Sequence, residues 1–247
     1  MIKFIVMCTK AILAVVVALL FASCHIKDIE IGGGIDGSGN VITEKRTINE
    51  SFTKIDVSRG IEVIVEQDND VAIEIEADDN IIQHITTKVR NGVLVVSTDE
   101  SIDFAESMTV KVKMPTISGL EATSGSNIKT NATLKGTTIA VKSSSGSEIE
   151  ATLEYESVTT ESTSGSEQTL AGKTLKLTTA SSSGSEINAD HLIANEIISE
   201  SSSGSSTTVH PLVNLNAKAS SGSSINYNGT PKNVSKEETS GGDVSKN

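Results

Sequence analysis

The tripeptide Ser-Gly-Ser recurs six times in the second half of the chain, at intervals of 18 to 21 residues. A degenerate seventh copy, Ser240-Gly241-Gly242-Asp243-Val244, follows 19 residues after the sixth. A fixed period near 20 residues is typical of a solenoid, in which each repeat forms one coil that stacks on its neighbour. The six copies are centred on Gly125, Gly146, Gly165, Gly184, Gly204 and Gly222.

The residues that flank each glycine show what kind of coil this is. Small or apolar residues recur at odd offsets from the glycine and alternate with charged or polar ones such as Lys142, Glu161 and Lys218. Alternation of this kind indicates a β-strand with one face inward. The sequence therefore predicts an all-β protein, a parallel β-helix with coils of about 19–20 residues. The position seven residues before the glycine is an example, with Ser118, Ile139, Val158, Leu177, Ile197 and Leu215.

The motif Ser145-Gly146-Ser147-Glu148-Ile149 and its copies are interpreted as structural. Glycine is suited to the backbone angles of a tight corner, and the isoleucine that follows is suited to the core. The first serine of each copy is expected to stack into an inward or corner ladder of hydroxyls, each donating to the next. The predicted structural residues are thus Ser145, Gly146, Ser147, Gly165, Gly184, Gly204 and Gly222, with the hydroxyl ladder at Ser124, Ser145, Ser164, Ser183, Ser203 and Ser221.

The N-terminus has the pattern of an export signal. Lys3 and Lys10 precede the uncharged apolar run 11–22, and Ser23-Cys24 follows. The apolar run is too short for a comfortable membrane span, and small residues stand at the expected cleavage point. Phe21-Ala22-Ser23-Cys24 resembles a bacterial lipobox, so residues 1–23 are predicted to be a lipoprotein signal peptide and Cys24 the lipidated residue. An ordinary signal peptide is the alternative.

Three further regions follow from composition and pattern. Residues 24–46 are predicted to be the lipidated cysteine and a flexible Gly-rich tether, because Gly32-Gly33-Gly34 and Gly37-Ser38-Gly39 come so soon after Cys24. Residues 47–117 alternate with larger apolar residues and are predicted to be an N-terminal β region that caps the solenoid. Residues 118–247 are the Ser-Gly-Ser repeat β-helix with a degenerate last coil. The protein is expected to be exported and anchored in the outer membrane by its lipid, with exposure at the cell surface left open.

The order of several motifs resembles a known family. Ser58-Arg59-Gly60-Ile61-Glu62-Val63 is followed by a strand ending at Lys113-Met114-Pro115, then by the Ser-Gly-Ser coils. The stretch 225–232, leading to Ser240-Gly241-Gly242, is similar to the family's usual ending. From about Thr47 onward the chain resembles the autotransporter-adhesin "head GIN" domain, found mainly in exported Bacteroidetes proteins. The resemblance implies a right-handed β-helix with an adhesive role, and it brings no known ligand, cofactor or catalytic residue.

Enzymatic chemistry has little support in the sequence, and no catalytic residue and no cofactor are predicted. β-Helices can carry polysaccharide lyases and hydrolases, so a polysaccharide-binding or polysaccharide-degrading protein is kept as an alternative. Such sites need converging acids with Arg, Lys or His, yet every arginine precedes the repeats and the histidines lack metal-ligand spacing. No Gly-x-Ser-x-Gly motif is present. A structural envelope spacer is the second alternative.

The charge balance limits the partners. Against 20 Lys and Arg the chain has 32 Asp and Glu, a net charge of −12, which excludes nucleic acid as a natural partner. Membrane contact is expected through the N-terminal lipid, and the ligand is an unknown surface protein or glycan. One column of the repeat, Glu148, Glu167 and Glu186, is expected to form an outward carboxylate ladder. It is either a divalent-cation or ligand site or, as the favoured interpretation, a solvated edge.

Overall fold

The computed structural model describes residues 33–247, of which Ile35–Asn247 form one compact unit. One 3₁₀ turn, Ile82–His84, interrupts the strands. No helix in residues 33–247 has the length and apolar character needed to cross a membrane. The strands are β1 (Ile35–Asp36), β2 (Val41–Arg46), β3 (Lys54–Val57), β4 (Glu62–Gln67), β5 (Ala72–Asp78), β6 (Ile85–Arg90), β7 (Val93–Thr98), β8 (Ile102–Phe104), β9 (Met108–Met114), β10 (Gly119–Ala122), β11 (Asn127–Thr130), β12 (Leu134–Ser143), β13 (Glu148–Ser162), β14 (Glu167–Ser181), β15 (Glu186–Ser201), β16 (Ser206–Ser220), β17 (Ser224–Tyr227), β18 (Asn233–Thr239) and β19 (Asp243–Lys246).

The repeats form stacked parallel coils, which confirms the predicted β-solenoid. Strands β12 to β16 pair with one another in parallel, and the pairs keep the repeat register, as in Val158 with Leu177 and Leu177 with Ile197. These three inward side chains are buried. Because each coil covers the apolar face of the next, a continuous core runs through the stack. The alternation in the sequence therefore corresponds to inward and outward positions.

Each long strand bends once, at a second corner that the motif does not mark. In β13 the inward residues change from odd to even numbers between Tyr155 and Val158. The strand pairing also skips this position, omitting Glu156 and Leu175 while their neighbours remain paired. Each coil therefore has two sides, joined by the Ser-Gly-Ser corner at one end and by this second corner at the other.

The N-terminal region closes the first end of the stack in an order that departs from the sequence. Strand β3 lies between β7 and β10, and β4 lies between β9 and β11, all in parallel pairs. The coil made by β3 and β4 is thus sandwiched between a later cap coil and the first Ser-Gly-Ser coil. Outside it, β5 pairs antiparallel with β9, β2 with β5, and β6 with β7. This antiparallel layer covers what would otherwise be an open parallel edge.

From Ile35 onward the structure contradicts the flexible tether that was expected at residues 24–46. Strand β2 pairs antiparallel with β5 along its whole length, and β1 pairs with β8. The Gly-rich segment between them is held by hydrogen bonds, among them Ser38 N–H to Asn80 Oδ1 at 2.9 Å and Asn40 Nδ2 to Asp79 Oδ2 at 2.9 Å. The amino-acid composition of this segment did not indicate a strand, because β2 is an exposed edge strand and needs no apolar face. Cys24 lies outside the described residues.

The last coil carries charged residues where other coils have small or apolar ones. Strand β18 pairs with β16 so that Lys236 stands beside Ala217 and Glu238 beside Ala219, both buried inward positions. The Lys236 ammonium donates to the carbonyl oxygen of Val244 at 2.6 Å and lies 5.2 Å from the centre of the Tyr227 ring. Two opposite charges are therefore placed over the end of the core.

Candidate functional site: the serine corner and an apolar groove

The Ser-Gly-Ser corner is a turn of two successive left-handed residues. In each copy the first serine has φ between 51° and 57° and the glycine that follows has φ between 69° and 78°. Non-glycine residues adopt this region rarely, and serine does so here in every coil. The glycine N–H donates to the carbonyl oxygen of the first serine of the next coil, at 3.1–3.2 Å. The corners are thus joined by a backbone hydrogen-bond ladder along the stack.

The same corner, with its hydrogen bond to the next coil, also occurs before the recognised repeats. Arg59 and Gly60 have φ of 65° and 73°, and the Gly60 N–H donates to the Ser124 carbonyl oxygen at 3.1 Å. The β3–β4 coil therefore begins the ladder, although 65 residues separate Arg59 from Ser124. Sequence analysis missed this copy because arginine replaces the first serine.

The first serines do not form the expected hydroxyl ladder, which corrects the prediction; the buried hydroxyl of the motif is that of the second serine, and it donates to backbone carbonyl oxygens. The first serines, from Ser124 to Ser221, are exposed, because the left-handed turn puts them on the outside of the coil. The second serines have at most 2% of their surface exposed. The Ser185 hydroxyl, for example, accepts from the Ser182 N–H at 3.2 Å and donates to the Ser162 carbonyl oxygen, one coil earlier, at 2.7 Å. The other buried second serines are Ser126, Ser147, Ser166, Ser205 and Ser223.

Behind this corner, the core of the middle coils is polar and internally satisfied. Ser181 hydrogen-bonds to Ser201 at 2.9 Å, to Ser205 at 3.0 Å and to Thr207 at 2.8 Å. Gln168, which occupies an isoleucine column, donates to Ser143 at 2.9 Å. Such networks rigidify a core when every member has a partner. These hydroxyls hold the coils in register, as the structural interpretation of the motif requires.

The three glutamates form a column but not a metal site of the usual kind. Glu148 pairs with Glu167 and Glu167 with Glu186, so their side chains stand in adjacent coils on the outer face. Partial burial, with a hydrogen bond and repulsion from Glu150, raises the pKa of Glu148 above its ordinary value. Within residues 33–247, no three Asp, Glu, His or Cys side chains converge in a way that could hold a metal ion. The Lys129 ammonium lies 3.9 Å from the Glu150 carboxylate and offsets part of the negative charge beside Glu148.

Sequence analysis missed an apolar groove at the second corner, which we call the corner groove. Three large aliphatic side chains from successive coils are exposed here, Leu175 at 57%, Ile193 at 40% and Leu212 at 47%. They border a cavity of about 540 Å³. A cavity of this size falls in the range of small-molecule sites, which are mostly apolar with few polar groups. Its lining is Gly136, Glu154, Tyr155, Glu156, Lys173, Thr174, Leu175, Ile193, Asn195 and Leu212.

The polar atoms in the floor of the corner groove are already bonded within the protein. The Tyr155 hydroxyl donates to the Ile117 carbonyl oxygen at 2.8 Å, and burial raises the pKa of Tyr155 to about 12. The Thr174 hydroxyl lies 3.1 Å from the carbonyl oxygens of Glu156 and Lys176. Gly136 leaves the space that the Tyr155 ring fills, since a Cβ there would stand 2.5 Å from the ring. The floor is therefore a preformed apolar surface.

One mouth of the corner groove carries a three-residue ion-pair cluster. Glu154 bridges Lys173 at 3.0 Å and Lys135 at 3.2 Å, and these lysines hold the pKa of Glu154 below its ordinary value. Both lysine side chains are more than 60% exposed. Two cations share one carboxylate, and Glu156, two residues from Glu154 on β13, lines the same groove, so these four charges balance.

The groove has no repeated signal in the sequence. Leu175 is outward and exposed while Leu177 is inward and buried, with a single residue between them across the corner. Leu212 is likewise exposed and Leu215 buried, with two residues between them. On the intervening coil the place of Leu175 is taken by Asn195, so no shared residue type marks the groove.

Stacked parallel coils, a hydrogen-bonded serine corner and an antiparallel cap make this protein a β-solenoid. Residues 51–231 match the family described as "Putative auto-transporter adhesin, head GIN domain", and the chain belongs to this family. The match confirms the resemblance noted in the sequence. No curated protein matches the chain in sequence.

Solved structures of Bacteroidetes proteins share the fold. A "putative adhesin" from Bacteroides fragilis is similar with a TM-score of 0.81 and 20% identity, over 87% of this chain and all of the other. A "putative adhesin" from Parabacteroides distasonis gives 0.71 and 18%, over 86% and 99%. A "Putative lipid binding protein" from the same species gives 0.69 and 17%, over 86% and 99%. At these identities the likeness is one of fold.

Proposed function

We propose that this protein is an exported surface-interaction module, lipid-anchored through Cys24 to the outer membrane, which binds a protein or glycan partner and performs no catalysis. The observation that carries the proposal is the match of residues 51–231 to an adhesin-type family. The architecture supports it, because an elongated stack displays outward side chains in long regular columns, suited to an extended partner surface. A polysaccharide-degrading enzyme is the competing function on the same fold.

Anchoring is tested by metabolic labelling. Cells expressing the full chain are grown with radioactive palmitate, and the wild type is expected to incorporate label that Cys24→Ser does not. Cys8→Ser, which alters a cysteine ahead of the cleavage point, is the matched control and should label like the wild type. Equal labelling of Cys24→Ser would reject lipid anchoring.

Surface exposure and adhesion need separate measurements. Protease added to intact cells should remove the protein if it faces outward, while a periplasmic marker survives. Cells that lack the gene should adhere less to host-cell or glycan-coated surfaces, and expression of the wild-type chain should restore adhesion. If release of unsaturated or reducing sugar ends from a polysaccharide panel is detected, the non-enzymatic proposal fails.

A second candidate function, binding of an amphiphile, is favoured by the corner groove. The groove exposes Leu175, Ile193 and Leu212 around a cavity of about 540 Å³ whose floor offers no unbonded hydroxyl. One structural neighbour, from P. distasonis, is described as a "Putative lipid binding protein". It is tested by whether the mature chain binds detergent monomers and whether Leu175→Asn abolishes the binding. Unchanged binding by this variant would exclude the groove.

A further inference from the structure

We infer that the Asp78 carboxylate binds a calcium ion where the loop 36–40 packs against the end of β5. This inference goes beyond the proposed function and does not depend on it. Two separate observations carry it, a buried carboxylate oxygen that lacks a partner and an oxygen-rich loop that lies against that carboxylate.

Asp78 is a buried carboxylate with one oxygen left over. Its surface is 0% exposed. The Oδ2 atom accepts a hydrogen bond from the Glu106 N–H at 2.9 Å, whereas Oδ1 has no hydrogen-bond partner within residues 33–247. None of the ion pairs in that part of the chain includes Asp78. Buried charges in proteins are paired or coordinate metal ions, because losing their hydration is costly. A cation at Oδ1 supplies the missing partner.

The loop 36–40 is pressed against this carboxylate. Val41 pairs with Asp78, so the loop just before β2 runs past the end of β5. Gly37 lies so close that an added Cβ would collide with the Asp78 carboxylate. Oxygen-bearing side chains alternate with glycine along the loop, in the order Asp36, Gly37, Ser38, Gly39 and Asn40. The ligand loop of the EF-hand uses the same spacing, with ligands at its first, third and fifth positions.

Several oxygens of this loop already converge. The Ser38 hydroxyl and the Asn40 amide both donate to the carboxylate of Asp79. Asn80 joins the group, since it accepts from the Ser38 N–H at 2.9 Å and donates to the Asp36 carbonyl oxygen at 2.8 Å. Calcium takes roughly six to eight oxygens, and amide and backbone carbonyl oxygens serve as well as carboxylates. Such a site does not need three converging acidic side chains, which the described residues lack.

The charge of the surroundings also favours a cation. Three segments meet here, 35–41, 77–80 and 102–107, and the Gly37 N–H donates to the Phe104 carbonyl oxygen at 2.7 Å. They contain no lysine, arginine or histidine. Their five acidic residues are Asp36, Asp78, Asp79, Asp103 and Glu106. An ion at Asp78 would therefore join segments that are far apart in sequence and fix strands β1 and β2 on the cap.

Other occupants fit less well. Structural zinc sites use mainly cysteine and histidine, and these three segments contain neither. Magnesium keeps several waters and demands near-octahedral geometry, which a buried oxygen under an irregular loop does not offer. A lysine of a partner protein cannot reach Asp78, because its surface is fully covered. A buried water would satisfy Oδ1 without adding charge, and the experiment separates it from an ion.

The test measures thermal unfolding of the mature protein, freed of metal with EDTA and dialysed, in CaCl2 up to about 10 mM at constant ionic strength. Extracellular calcium modules have Kd values of about 10⁻⁴–10⁻³ M. At ten times Kd the melting temperature of the wild type is expected to rise by about 3–6 °C. Asp78→Asn should abolish this rise. Without calcium it should melt no lower than the wild type, because it removes a buried charge that lacks a partner.

Asp70→Asn is the matched control, since it changes an exposed acidic residue of the same cap, and it should keep the rise. Hydrogen exchange of the wild type locates the ion without any variant. Calcium should slow exchange in residues 36–46 and 104–106 more than in the coils of β13 to β16.

Three outcomes would overturn the inference. The absence of any calcium-dependent rise would assign a buried water to Oδ1. An equal rise with MgCl2 would indicate general screening of the acidic surface. Loss of the rise in Glu167→Gln, with the rise kept in Asp78→Asn, would place the ion on the column of glutamates.

Discussion

The backbone N–H of Gly184 donates a hydrogen bond of 3.1 Å to the carbonyl oxygen of Ser203, which occupies the same corner one coil later. This relationship repeats from Gly60 to Ser240 and joins all the corners of the stack. It depends on two successive residues in the left-handed region, of which the first carries a side chain and the second is glycine. Substitutions at these two positions should therefore differ in their effect on stability.

Gly184→Ala should destabilise the protein by about 1–2 kcal/mol, the cost of placing a Cβ residue in the left-handed region. Nothing lies within 4 Å of the added Cβ, so the cost comes from the backbone and not from a clash. Urea unfolding measures the change. Gly119→Ala is the control, because its φ is not positive and the new methyl meets only the Lys54 side chain. Equal stability of the two variants would contradict the prediction.

The two serines of one motif should differ in the same assay. Ser185→Ala is expected to cost about 0.5–1.5 kcal/mol, because it removes a buried hydroxyl that bonds both the Ser182 N–H and the Ser162 carbonyl oxygen, which keep only their 3.0 Å bond to each other. Ser183→Ala removes an exposed hydroxyl from the same turn and should change the free energy of unfolding by less than about 0.5 kcal/mol. If Ser183→Ala were the costlier change, the structural role assigned to the hydroxyl of the second serine would fail.

The double variant Lys236→Ala, Glu238→Ala should increase self-association of the protein. The two charges face inward on the last coil, and inward-pointing charges are a known protection of exposed sheet edges. Sedimentation velocity over a range of concentrations measures the change. The control is Lys218→Ala, Glu237→Ala, which removes an outward ion pair of 2.9 Å at the same end and should associate no more than the wild type does.

Glu148→Gln should stabilise the protein at neutral pH and have no such effect below pH 4. The folded state raises the pKa of Glu148, so it binds the proton more tightly than the unfolded chain does. The wild type therefore loses stability as the pH rises from the ordinary glutamate pKa through the raised one, and glutamine abolishes that loss. Melting temperatures of both proteins from pH 3 to 8 test this. A constant difference across that range would refute it, and Glu186→Gln, at the exposed end of the column, should show a smaller change.

Much of the solenoid could be predicted from sequence because its determinants are local and repeated. Ile149 and Ile187 recur at one offset from a glycine, and their burial follows from two-residue alternation. The second corner carries no shared residue type, with Glu156, Leu175 and Asn195 at equivalent places, so neither the bend nor the groove could be inferred from a motif. The pairing of the edge strand β2 with β5 uses backbone atoms. Amino-acid composition does not indicate such pairing, so the sequence predicts a tether there.

The coil made by β3 and β4 has a consequence for how the chain folds as it is synthesised. Its two edges are completed by strands that come later in the chain, Lys54 pairing with Val93 on one edge and with Gly119 on the other. A chain that emerges N-terminus first therefore presents this coil with both edges open until residues 93–130 have followed. Any chaperone that holds the incomplete chain would find its binding surface in that interval, on strand edges that the finished protein hides.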